Sequence, residues 1–117
     1  VRQLDANMGF VNAVQEMLLR VHPAYLQLLP ACPARLSAGR VRRLHFAGGT
    51  VSFSWDFAAG MLCGEIEAQR EVEIEVRLPE FCGEVFIRGA DRAEQAVKGS
   101  FFCRLHAGES LSFLHNK

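Results

Sequence analysis

The sequence has no C-x-x-C pair. Its four cysteines, Cys32, Cys63, Cys82 and Cys103, stand 31, 19 and 21 residues apart. That spacing excludes a zinc ribbon or a thioredoxin-like motif. Four cysteines admit three pairings, but a chain that is 50% apolar needs no staples to hold a core. Cys63 and Cys103 lie in apolar, strand-like runs and read as buried free thiols, with bridging left open. His22, His45, His106 and His115 share no ligand spacing with the cysteines or carboxylates, so no metal and no cofactor site is expected. No apolar run approaches the ~20 residues of a membrane helix, so no membrane partner is expected. There is no charge excess: 13 basic residues meet 13 acidic ones. An electrostatic nucleic-acid binder would be strongly basic, so no nucleic acid is expected as a partner. With 10 Gly and 4 Pro the chain holds no low-complexity segment. It has one Trp and one Tyr, and no aromatic platform for stacking on sugar rings is visible.

What is present is one domain's worth of chain, 117 residues, long enough to bury a core. The charge is unevenly spread, with six basic and two acidic residues in 1–49 and seven basic and eleven acidic in 50–117. Such an asymmetry can steer a partner, or reflect only which residues face water. No basic segment followed by an apolar run opens the chain, and there is no initiator Met. No signal peptide is read. The chain is expected to be a piece of a longer protein whose compartment it does not reveal.

Residues 8–21 are predicted to form an amphipathic helix. Phe10, Val14, Met17, Leu18 and Val21 fall on one apolar face, with Asn12, Gln15 and Arg20 off it. Asp5 and Asn7 precede the run as N-cap types, and Pro23 ends it. After Pro23 the period changes, and from residue 40 it is two. Tyr25 to Leu29 is a short strand. Val41 to Phe46 and Thr50 to Trp55 form a hairpin about Gly48-Gly49. Leu62 to Ala68, Val72 to Leu78, Glu84 to Arg88, Phe101 to Leu105 and Ser110 to Leu114 follow as strands, and residues 90–99 read as a loop or a short helical turn. The fold class is therefore mostly β: an antiparallel sandwich of about eight short strands preceded by one N-terminal α-helix. Glu65, Glu67, Glu71, Glu73 and Glu75 occupy the water side of the alternation and form a solvated face.

Several blocks resemble glycoside hydrolase family 95, chiefly 1,2-α-L-fucosidases with some α-galactosidases. Gln3-Leu4-Asp5-Ala6-Asn7-Met8-Gly9 resembles Q-(I/L)-D-(A/G)-N-F-G, the motif that opens the last helix of that family's (α/α)6 barrel. Glu16-Met17-Leu18-Leu19 with His22 resembles E-M-L-L-Q-S-H, and Leu28 to Pro33 resembles L-L-P-A-L-P. Gly39-Arg40-Val41, Leu44, Gly48-Gly49 and Val51 to Trp55 resemble G-x-V-x-G-L-x-A-R-G-G-F-x-V-x-x-x-W, and Ala107-Gly108-Glu109 resembles an A-G-E before the last strand. The blocks keep the family's order across residues 3–55 and weaken beyond.

The resemblance implies that residues 1–22 are the last helix of a catalytic barrel and residues 23–117 a C-terminal β-sandwich domain. The implied parent is an inverting glycoside hydrolase acting on terminal α-L-fucosyl or α-galactosyl residues. Its partners would be the barrel of the parent chain and an oligosaccharide substrate. Inversion needs an acid for the leaving oxygen and a base for water. In the family an Asn amide contacts that water and an Asp polarises the Asn. The resemblance places that Asp at Asp5, whereas pattern alone makes Asp5 a helix cap. The acid and the Asn lie upstream of this chain in the family, so the chain alone is expected to hydrolyse nothing, and its uncovered helix face to self-associate. The competing readings are a carbohydrate-binding module and a free-standing structural β-domain.

Overall fold

From Ala38 onward, apolar and polar residues alternate, and each alternating run is a strand with one face inward. The computed structural model describes residues 2–5, 19–29, 37–89 and 93–116, and the side chains of 2–5 are not among what it describes. Eleven strands are present among these residues: β1 (Arg2–Asp5), β2 (Leu19–Val21), β3 (Tyr25–Leu28), β4 (Ala38–Phe46), β5 (Gly49–Asp56), β6 (Met61–Ala68), β7 (Val72–Arg77), β8 (Glu84–Arg88), β9 (Glu94–Lys98), β10 (Ser100–Leu105) and β11 (Ser110–Asn116). They pair in the order β1-β4-β5-β6-β11-β8-β9-β10-β7-β3-β2. Between β9 and β10 this order narrows to the single pair Ser100↔Lys98. There the strands divide into two antiparallel-rich layers. The β1–β4 and β3–β7 pairings are parallel and the rest antiparallel.

The core lies between the layers. Val51, Phe53, Trp55, Leu62, Ile66, Leu111 and Phe113 enter it from one side, and Leu26, Val76, Phe101, Cys103 and Leu105 from the other. Phe101 and Phe113 meet across the gap at 6.3 Å between ring centroids. Trp55 is 1% exposed and inclined against Phe53. It is a core residue, as its alternation with Val51 and Phe53 predicts.

Three expectations need correction. No helix occurs among the described residues, and the C-terminal end of the expected helix is strand β2. Its burial runs opposite to the helical prediction. Leu19, off the expected apolar face, is 3% exposed, while Val21, on it, is 45% exposed. The cause is pairing of Leu19 with Leu28 and Val21 with Leu26. Reciprocal backbone bonds between His22 and Tyr25 close the hairpin over Pro23-Ala24. The remainder of the helical run, residues 8–18, lies outside the described residues. Second, residues 94–98, read as loop or helical turn, form β9 and pair with β8 from Glu84↔Lys98 to Arg88↔Glu94. Only Val97 of this strand packs against the core, so its alternation is nearly silent. Third, the β4–β5 turn falls at Ala47-Gly48, because Phe46 pairs with Gly49. Gly48 takes φ 108 there, a conformation open to glycine. Strands β1, β2 and β9 make up the difference between about eight strands and eleven.

Candidate functional site

Strand β4 departs from strict alternation at one place. Val41 pairs with Phe53 and Leu44 with Val51, so Arg42 and Arg43 together face the one residue Ser52. This is a β-bulge. It lets Val41 and Leu44 both point into the core, each 2% exposed, while Arg42 and Arg43 both stay in solvent. Arg43 holds φ 53, the left-handed region that costs an L-residue roughly 1–2 kcal/mol. Its backbone N–H donates to Ser52 Oγ at 3.0 Å.

The bulge forms one wall of an open groove of about 540 Å³ on the outer face of β4, β5 and β6. Arg40, Arg42 and Arg43 supply its positive side, and Ser52, Ser54, Cys63 and Glu65 its floor and far side. Register brings them together in rows: Arg40 opposite Ser54, Ser54 opposite Cys63, and Ser52 opposite Glu65. Ser54 Oγ and Cys63 Sγ are 3.2 Å apart. The ion pairs made by arginines whose partners are described use Arg77, Arg88 and Arg104. The three groove arginines therefore face outward with no carboxylate partner among the described side chains.

The sequence-derived site residue, Asp5, is the last residue of β1. Its backbone is registered against Arg42, which lines the groove. Asn7 and Met8 lie outside the described residues. Tyr25 is not an open stacking surface. The His22 ring stacks on it at 4.5 Å, and the Arg77 guanidinium carbon lies 3.7 Å from its centroid. Glu65, Glu67, Glu71 and Glu73 are exposed, and Glu75 accepts from Arg77 Nε at 2.9 Å. Cys63, Cys82 and Cys103 are free thiols, and Cys32 lies outside the described residues. Burial pushes the Cys82 and Cys103 thiols up to about 11. The buried pair is thereby kept protonated and unreactive at neutral pH, whereas Cys63 opens onto the groove. Sequence reasoning missed the groove. Its only signal was the doublet Arg42-Arg43 between two apolar positions.

No family model matches the chain. Over 55 residues, 45% of the chain, it is 49% identical to Alpha-L-fucosidase 2 of Arabidopsis thaliana, and the match covers 6% of that protein. A solved GH30 endoxylanase from Clostridium papyrosolvens C71 aligns with a TM-score of 0.48 and 19% identity, over 67% of this chain and 23% of that one. The chain thus spans a small part of the curated relative it matches, and the matched stretch is fucosidase-like in sequence.

Proposed function

We propose that the chain is the C-terminal accessory β-domain of an inverting glycoside hydrolase of the family 95 type, acting on terminal α-L-fucosyl or α-galactosyl residues. In this reading residues 1–22 close the catalytic portion in sequence while Arg2–Asp5 and Leu19–Val21 pair as strands onto residues 23–117, which form the accessory domain. The observation that carries this reading is the 49% identity over 55 residues to a plant protein named as an α-L-fucosidase. The ordered blocks from Gln3 to Trp55 support it. In this reading the partners are the parent's catalytic barrel and its oligosaccharide substrate. Asp5 polarises the Asn that acts on water. A neutral amide is a weak base, and a fixed carboxylate bonded to it strengthens its pull on the water proton.

The reading predicts that the purified chain releases no fucose from a 2′-fucosyl glycan, since acid and base belong to the rest of the parent. Measurable fucose release would overturn it. The more decisive experiment is to read the DNA upstream of the codon for Val1. An in-frame continuation encoding a helical barrel with a carboxylic acid in its centre supports the proposal. A start codon close by refutes it and returns Asp5 to a purely structural role.

A further inference from the structure

The groove on the outer face of β4, β5 and β6 has the chemistry of a binding site, and it stands independently of the glycosidase reading because it uses only residues of those strands. We propose that it binds an anionic saccharide, a sugar bearing a carboxylate or a sulfate ester. Arg40, Arg42 and Arg43 hold the anionic group, and Ser52, Ser54 and Glu65 hold the neighbouring hydroxyls.

Three observations carry the assignment. The first is charge: among the described side chains, three guanidiniums and one carboxylate line one groove of about 540 Å³, a size in the range of small-ligand sites. Guanidinium forks match the planar, two-oxygen geometry of carboxylates and related anions. The second is the backbone. Arg43 is kept at φ 53 inside a bulge, where glycine would sit without strain. Strained residues of this kind concentrate at binding and catalytic sites. The bulge is what places two successive cations on one face of a strand. The third is the polar set beyond the arginines. Ser52 Oγ accepts the Arg43 N–H, which leaves its own proton free to donate into the groove. Glu65 repels a bare anion but accepts from a sugar hydroxyl. The combination selects a ligand with an anionic group and hydroxyls on one frame over a free inorganic ion. Recognition is by charge and hydrogen bonds, because the aromatic residue among the described lining, Phe53, is 2% exposed and turned into the core.

The test is calorimetric titration of the 117-residue chain with tetragalacturonate, a sulfated tetrasaccharide, neutral maltotetraose and sodium sulfate. At least one of the two anionic saccharides is expected to bind, more weakly as salt rises, and which of them binds distinguishes carboxylate from sulfate ester. Maltotetraose and sodium sulfate are expected to bind at least about ten-fold more weakly. Arg40→Ala and Arg42→Ala should each weaken binding about ten-fold or more, as loss of a charge-assisted hydrogen bond does. Arg88→Ala, on the same face but paired with Glu94 at 3.3 Å, should leave it unchanged. Arg43→Gly should fold at least as stably as the parent chain yet bind more weakly, an outcome a merely structural arginine would not give. Bound saccharide should also protect Cys63 from iodoacetamide, read by peptide mass. The proposal falls if neither anionic saccharide binds, if maltotetraose or sodium sulfate binds equally well, or if Arg88→Ala weakens binding as much as Arg42→Ala.

Discussion

Replacing Gly64 by Ala tests the packing between the strands that carry the groove and the core beneath them. Gly64 sits within β6, paired with Phe53 of β5 and Phe113 of β11. A methyl group there would stand 2.6 Å from Phe113 Cζ and 2.7 Å from Phe53 Cβ, and would press on the Ser52 carbonyl oxygen. Carbon pairs rest at about 3.5–4.0 Å, so each carbon overlap is roughly 1 Å. Phe53 and Phe113 are each 2% exposed, so neither can swing into free space. Overpacking costs ~1–3 kcal/mol. The contact with Ser52 O favours the upper end, because that oxygen is backbone and moves only with β5. The reduced freedom of the unfolded chain gives back ~0.4–1 kcal/mol, leaving a net loss of about 2 kcal/mol. Trp55, the sole tryptophan and 1% exposed, reports unfolding by its fluorescence. With a urea slope of ~1–3 kcal/mol/M, the midpoint should fall by about 1 M. Gly83→Ala is the control: nothing lies within 4 Å of the added carbon, and stability should hold or rise slightly. If Gly64→Ala stays within about 0.5 kcal/mol of Gly83→Ala at unchanged slope, the close approach of β5, β6 and β11 is refuted.

Trp55→Ala should cost ~3–5 kcal/mol, a large share of a small domain's stability. Far-UV circular dichroism against urea checks it, and a loss under 1 kcal/mol would contradict the burial of that ring. The two buried thiols give a pH dependence. Cys103 is held up to about 11 against an ordinary 9.0, so the folded chain keeps a proton that the unfolded chain releases. The stabilisation is complete below pH 9 and is lost as pH rises toward 11, with a ceiling on the order of 2–3 kcal/mol for that thiol. Urea midpoints at pH 8, 9.5 and 10.5 should therefore fall less steeply in Cys103→Ala than in the parent chain. Equal slopes would mean the thiol is not desolvated.

Where the chain alternates cleanly, the sequence was enough. Val51, Phe53 and Trp55 against Ser52 and Ser54, or Val72, Ile74 and Val76 against the glutamates, have a single way to bury their apolar set. The failures share a cause: local pattern lost to long-range pairing. In residues 8–21 apolar side chains are dense enough to satisfy a helical template, and only the pairing of Leu19 with Leu28 shows Leu19–Val21 to be extended. Glu94–Lys98 carries one half-buried apolar residue, Val97. Its strand state comes from the β8 partner, with Arg88 and Glu94 paired at one end. The catalytic reading of Asp5 rests on a motif alone, and its backbone register against Arg42 could not be read from period. The groove was hidden because bulges break the rule by which strands are recognised.

That broken rule also supplies the sharpest test of how the site is built. Strict alternation through Val41-Arg42-Arg43-Leu44 would send Arg43 into the core and Leu44 out to water. The one extra residue in β4 avoids both: Val41 keeps Phe53 as its partner, Leu44 keeps Val51, and the two arginines share Ser52. Deleting Arg43 should consequently restore a regular ladder from Val41↔Phe53 through Arg42↔Ser52 to Leu44↔Val51. No apolar residue changes face, and the left-handed backbone at φ 53 disappears, which returns roughly 1–2 kcal/mol. The expected outcome is a chain that folds with equal or higher urea midpoint while its affinity for the anionic saccharide drops about ten-fold or more. A single-residue deletion inside a strand ordinarily flips every later side chain and unfolds the protein. An unfolded product would mean that β4 carries no extra residue to lose, and that Arg42 and Arg43 are not held on one face by a bulge.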